Sequence, residues 1–149
     1  MLRIALPVAW RYILAGAVIL SGCGLLLADM QHQATKPRGT ITVIYVGADD
    51  CAPCRAWRKD DQPAFFGSAA FQKIKYREVI TSHLYDLLAE SQWPEDLSFV
   101  RERVKARPGA PQWFVMQNGR MIIWETGLSA WPRVVWPTIQ AQTADRQAS

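Results

Sequence analysis

The chain has 149 residues, enough for one domain with an appendage. Half of its residues are hydrophobic and seven are tryptophan, which excludes a disordered polypeptide. The net charge is +4, but Arg3 and Arg11 belong to the N-terminal segment, and without them 15 basic residues stand against 13 acidic ones. No basic stripe is interleaved with aromatics, so the balance argues against nucleic acid as a partner.

Residues 12–28 carry no charge and follow the two arginines. The run is at the short end for a membrane span, which takes about 17–25 residues, and is longer than the roughly 7–15 residues of an export-signal core. Basic residues ahead of it would hold that end in the cytoplasm and send the rest outward. Leu20-Ser21-Gly22-Cys23 resembles a bacterial lipobox, whose cysteine is lipidated after signal cleavage. Gly24-Leu25-Leu26-Leu27 continues the apolar run past that point, as suits an uncleaved helix. Both readings, single-pass or lipid-anchored, tether the remaining chain in an oxidising compartment, where a cysteine pair finds redox partners. Residues 1–28 are therefore taken as signal-anchor or lipoprotein signal, and the polar stretch 29–39 as a linker.

Ile41 to Val46 is a continuous β-branched and apolar run, the pattern of a strand buried on both faces. Gly47 to Asp50 form a loop leading into Cys51-Ala52-Pro53-Cys54. From Pro53 a helix is expected, with Ala56, Trp57 and Phe65 or Phe66 on its apolar side and an interruption at Pro63. Ile74 to Thr81 reads as a second strand, and residues 83–91 and 95–106 as helical, broken at Trp93-Pro94. Basic residues crowd Arg101 to Arg107, read as a solvated helix face, with a docking patch as the sharper alternative. Residues 112–117 and 121–125 are strands joined by Asn118-Gly119, a tight-hairpin signal. A terminal helix starts near Ser129, irregular at Pro132 and Pro137, with a frayed tail over 143–149. The order strand, helix, strand, helical segment, hairpin, helix fits an α/β sheet with antiparallel strands at one edge.

Chemistry concentrates in Cys51 and Cys54. A cysteine at a helix N-terminus meets unpaired backbone N–H groups and the positive end of the dipole, which favour thiolate over thiol. The thiolate is the species that attacks disulfides. A purely structural bridge is disfavoured because so short a loop gains little from closure. Zinc normally takes four ligands, and only His32, His83 and Cys23 remain as soft candidates beside the pair; no metal site is assigned. No Ser/His/Asp constellation or phosphate loop is present, and no cofactor is called for. The remaining tryptophans read as core and groove lining.

With CxxC after the first strand, and Gly109-Ala110-Pro111-Gln112-Trp113-Phe114-Val115 before Asn118-Gly119, the chain resembles the thioredoxin-like superfamily. The resemblance covers roughly residues 40–142, with a helical insertion around 82–106. It implies a central mixed sheet flanked by helices, here preceded by an N-terminal membrane-anchoring helix. It implies that Cys51 is the nucleophile, Cys54 the resolving thiol and Pro111 the cis-proline beside them. Ala110 would pair its backbone with a substrate peptide, while Pro53 restrains the ring and Trp113 borders the substrate groove. Two positions depart from the family pattern: Asp50 replaces the usual Trp, and Tyr45 the usual buried Asp that assists proton transfer. Asp49 and Asp50 oppose a Cys51 thiolate, whereas Arg55, Arg58 and Lys59 favour it. By analogy with tethered members, the expected role is a reductase for cysteine-bearing exported proteins such as apocytochromes. It would exchange electrons with a thiol donor or acceptor of the membrane or periplasm, at the bacterial inner membrane. An oxidase or isomerase is the alternative within this chemistry. Outside it stand a non-catalytic docking protein and a copper-handling one in which His83 joins the cysteines, although such relatives usually have a wider cysteine spacing.

Overall fold

A computed structural model describes residues 39–144. The anchor and linker assignments, with Cys23 and His32, lie outside the described residues, as does the tail beyond Ala144. Among the described residues no helix is long and apolar enough to cross a membrane.

β1, Ile41–Ala48, lies inside the sheet with both its faces covered. Alternation sends Ile41, Val43 and Tyr45 into one apolar cluster and Ile44 and Val46 into another. β2, Ile74–Thr81, pairs with it in parallel from Ile41↔Ile74 to Ala48↔Thr81. On its other side β3, Gln112–Gln117, runs antiparallel, with Tyr45 opposite Trp113 and Val46 opposite Gln112. β4, Arg120–Thr126, completes the sheet in the order β2-β1-β3-β4. Asn118 and Gly119 carry the positive φ values (52° and 77°) that a two-residue hairpin of this kind requires.

The cluster containing Tyr45 is roofed by α1, Ala52–Asp60, α2, Gln62–Phe66, and the C-terminal helix α4, Trp136–Thr143. These supply Trp57, Phe65 and Ile139, with Trp131 and Val135 from the turn ahead of α4. The expected interruption falls at Asp61, and Pro63 occupies the first turn of α2, where its missing N–H costs nothing. The opposite cluster is closed by α3, Ser98–Ala106, through Val100 and Val104, and by Leu87, Trp93 and Leu97 ahead of it. The sheet thus has helices on both faces, the mixed α/β architecture expected.

Several expectations are corrected. Residues 83–91 form no α-helix; short 3-10 turns span Leu84–Leu88, Glu90–Gln92 and Glu95–Leu97. Leu87, Trp93 and Leu97 are all buried in one cluster, and Pro94, which lacks an N–H, keeps the segment that carries them from continuing as one helix. Trp93, extended as residues before proline prefer, is pinned by its indole N–H donating to the Leu87 carbonyl at 2.8 Å. The helix expected over 95–106 therefore begins at Ser98. At the C-terminus a wide π-type turn, Trp131–Val135, absorbs Pro132 before α4 starts. Thr143, assigned to the tail, is buried and donates its hydroxyl to the Ile139 carbonyl, so the helix runs through it. The basic run is the solvated face expected, with Arg103, Lys105 and Arg107 exposed; Arg101 faces Glu90 and Glu102, Lys105 bonds Glu102 at 2.7 Å, and the Arg107 guanidinium lies 4.2 Å over the Trp124 ring.

Candidate functional site

The parallel pairing of β1 and β2 brings their C-terminal ends to one edge of the sheet, and α1 leaves from there. Cys51 is the N-cap of α1, in extended backbone, and its Sγ accepts from the Cys54 N–H at 3.3 Å. Cys51 and Cys54 form a disulfide with their Cα atoms 5.2 Å apart. Both pack against Ala48 and Ala110. Cys54 is fully buried and Cys51 retains 5% of its surface. The first cysteine is thus only marginally the more accessible, and the Ala110 loop lies against it.

That loop arrives from far along the chain. The Ala110 carbonyl oxygen lies 3.6 Å from Cys51 Sγ, across 59 residues of sequence. The Ala110–Pro111 peptide bond is cis. Pro111 is buried and its carbonyl accepts from the Gly127 N–H at 2.8 Å, while Ala110 is half-buried. Pro53 is exposed in the first turn of α1. Cys51, Cys54, Pro53, Ala110 and Pro111 are thus brought together. Trp113 is not among them: it is fully buried against Tyr45, Trp57 and Trp131, and so belongs to the core and not to a groove wall. Strand alternation is the reason, since Trp113 shares the cluster face with Val115.

Gln112 is the residue that sequence reasoning missed. It is fully buried, donates from Nε2 to the carbonyls of Arg107 and Gly109, both at 2.8 Å, and accepts from Trp124 Nε1 at 2.7 Å. One amide thereby fixes the loop that presents Ala110 and Pro111. Its only signal in the sequence was a polar residue opening an otherwise apolar strand.

The two aspartates ahead of Cys51 are each engaged. Asp49 pairs with Arg58 at 2.7 Å, and Arg55 donates to the Asp49 carbonyl at 2.9 Å, tying the end of β1 to α1. Asp50 accepts the Leu84 N–H at 2.8 Å and lies 3.4 Å from His83 Nδ1. His83 also stacks on Tyr85, centroids 5.0 Å apart, and does not join the cysteines. Among the described residues no group of three or more histidine, cysteine, aspartate or glutamate side chains is arranged to hold a metal.

Tyr45 is fully buried and stacks on Trp57 at 4.5 Å. Among the described residues its hydroxyl has no hydrogen-bond partner, and neither do the indole nitrogens of Trp57 and Trp113. Burial, the largest cause, pushes the Tyr45 phenol up to about 12 against a partial opposing pull from Arg58. The phenol approaches Gly47 so closely that a Cβ there would sit 2.5 Å from its oxygen.

No family model matches the sequence, and neither does any curated protein. Among solved structures the chain is similar to the thioredoxin of Malassezia sympodialis, with 18% identity and a TM-score of 0.51 over 72% of this chain and 80% of that one. It is also similar to thioredoxin f2 of Chlamydomonas reinhardtii, with 14% identity and a TM-score of 0.49 over 75% of this chain and 88% of that one. A mixed sheet between helices, with a disulfide-capable Cys51–Cys54 pair capping the first helix beside a cis-proline, is the thioredoxin-like fold, and residues 39–144 of this chain have it.

Proposed function

We propose that this chain is a thiol–disulfide oxidoreductase, held at the bacterial inner membrane by its N-terminal apolar segment, with the redox domain in the periplasm. Its clients are disulfides of exported proteins, and its direction is reductive. The observation that carries the chemistry is the pairing of Cys51 and Cys54 at the N-terminus of α1, with the Ala110 carbonyl 3.6 Å from the outer sulfur. The tether rests on the uncharged run of residues 12–28 behind Arg3 and Arg11.

In the reduced protein Cys51 attacks one sulfur of a client disulfide as a thiolate. A Cys51–client bond forms, the client S–S bond breaks, and the displaced client thiolate takes a proton from solvent. Cys54 then attacks Cys51 Sγ, restoring the intramolecular disulfide and releasing the second client thiol. Two electrons pass to the client for each disulfide closed. A thiol donor of the membrane or periplasm returns the pair to the dithiol. The Cys54 N–H stabilises negative charge on Cys51 Sγ, and Pro53, already fixed in φ, keeps the turn between the sulfurs rigid. The client chain pairs with the backbone at Ala110, beside the reacting sulfur.

The reduction potential of the full chain in defined glutathione buffers tests the direction. A value near about −270 mV is that of a reductant, whereas one near about −120 mV makes the protein an oxidant and overturns the direction proposed. Cys51→Ala is expected to abolish exchange with every disulfide; retained exchange overturns the chemistry itself.

A further inference from the structure

The residue ahead of the nucleophile is an aspartate, and its carboxylate is held by a turn far along the chain. One Asp50 oxygen accepts the Leu84 N–H at 2.8 Å, and the other lies 3.4 Å from His83 Nδ1. His83 is itself fixed. Its ring stacks on Tyr85 with the planes 7° apart, and its carbonyl accepts the Thr81 hydroxyl at 2.7 Å. The Asp49 N–H donates to the Thr81 carbonyl at 2.9 Å, so the ends of β1 and β2 hold the Asp50–His83 pair beside the start of α1.

Around this corner Asp49 pairs with Arg58, and Arg55 bonds the Asp49 carbonyl. Lys59 stands in the last turn of α1, at the end away from Cys51. Glu90 faces Arg101, and Arg107 lies over the Trp124 ring. Tyr85 and Asp86 follow His83 in its own turn. Carboxylates, guanidinium groups, amines and phenols ordinarily keep one charge between about pH 5 and 8, whereas an imidazole changes its charge there. A carboxylate beside a thiolate opposes it, and a cation paired to that carboxylate offsets the opposition. Imidazolium supplies that cation; neutral imidazole does not.

We propose that His83 is a positioning residue for the exchange reaction: held on Asp50, its protonated ring offsets the charge beside Cys51 and sustains attack by the thiolate as the pH falls. The inference rests on the oxidoreductase reading and adds a working range to it. Below the pKa of a thiol its thiolate fraction falls about tenfold for each pH unit, and the protonated ring recovers part of that loss. The His83 and Asp50 side chains are 51% and 44% exposed, so solvent screens the effect to about threefold.

The test uses the full chain, reduced, and iodoacetamide, an uncharged probe that alkylates thiolates. The Cys51 sulfur displaces iodide and forms a thioether, read apart from Cys23 and Cys54 by mass spectrometry of the peptides. At about pH 5.5 His83→Gln is expected to react about threefold more slowly than the unaltered chain, and at about pH 8 equally fast. His83→Lys, cationic at both, is expected to match the unaltered chain at about pH 5.5 and to exceed it about threefold at about pH 8. In an Asp50→Asn background, where the ring has lost its carboxylate, His83→Gln is expected to change nothing at either pH. Both positions are exposed, so these substitutions leave the core intact.

A slowing by His83→Gln of the same size at both pH values marks a structural role alone and overturns the inference. No slowing at either pH overturns it as well. If His83→Lys behaves as His83→Gln, or the His83 effect survives undiminished in Asp50→Asn, charge held on Asp50 is not what acts and the inference fails. Alkylation needs no client, so its outcome stands apart from the exchange chemistry. Failure of the reduced chain to exchange with glutathione disulfide overturns the oxidoreductase reading, whatever the alkylation profile.

Discussion

At the residue scale the two cysteines differ slightly in exposure, in the order that the proposed mechanism needs. Cys51 keeps a sliver of surface and Cys54 none. Cys54→Ser is expected to accumulate a covalent Cys51–client adduct, visible on non-reducing gels, because the resolving attack is lost. Cys51→Ser should yield none. Gln112 acts through the loop it holds, and so is a positioning residue. Gln112→Leu leaves the Trp124 indole N–H and two carbonyls without their partner, a loss of about 2–3 kcal/mol in denaturant unfolding. A structural role alone ends there. If Gln112 positions the Ala110 loop, the KM for a client peptide rises more than kcat falls. Trp113, withdrawn from the groove, is a packing residue, and Trp113→Ala is expected to cost about 3–5 kcal/mol by the cavity it opens.

At the element scale, the strand readings held because their signals are local. The β-branched run of β1 lies buried on both faces, and the Asn118-Gly119 turn closes β3 on β4. Gly119→Ala is expected to lower stability by about 1 kcal/mol, since a side chain must then adopt φ of 77° with nothing gained in contact. The helical reading of residues 83–91 failed for a reason that lies elsewhere in the fold. Leu87, Trp93 and Leu97 are claimed by the cluster under α3, while Asp50 claims the Leu84 N–H, and propensity yields to those contacts. The sequence showed the charges near Cys51 without their partners. Asp49 is paired to Arg58 and Asp50 to the following turn, so both carboxylates serve to fix the loop that carries the cysteine.

At the scale of the whole molecule, the aromatic cluster sets the alkaline limit. The buried Tyr45 phenol is pushed up to about 12, from 10.0, and Tyr76 is raised in the same direction, also chiefly by burial. A group whose pKa is raised by folding stabilises the fold fully below its unfolded value and loses that contribution as pH climbs through its folded value. Stability is therefore expected to decline from about pH 10 upward, by on the order of 2–3 kcal/mol for Tyr45 by about pH 12. Tyr45→Phe should flatten that limb in fluorescence-monitored unfolding and, by removing an unpartnered hydroxyl, raise stability at neutral pH by about 1 kcal/mol. An unchanged alkaline midpoint would remove Tyr45 from this account. For the proposed tether, the intact chain is expected to stay with membranes after alkaline washing at its full-length mass, and Cys23→Ser to leave that unchanged; a shortened, lipid-bearing product marks the lipoprotein route instead.

The sequence by itself determined the strands, the hairpin and the paired cysteines, while the proline that faces them was implied by the resemblance to the thioredoxin-like superfamily. The former rest on backbone preferences and spacings only a few residues long: apolar periodicity, proline and glycine placement, two cysteines one turn apart. Only the tertiary structure decided which side chains meet at the sulfur. The contact of Cys51 with Ala110, the grip of Gln112 on the loop, the Asp50 hydrogen bond to Leu84 and the burial of Trp113 each depend on strand register and on packing across the sheet. Such contacts join residues distant in the chain, and the free energy that selects them is released only when both sides are already in place.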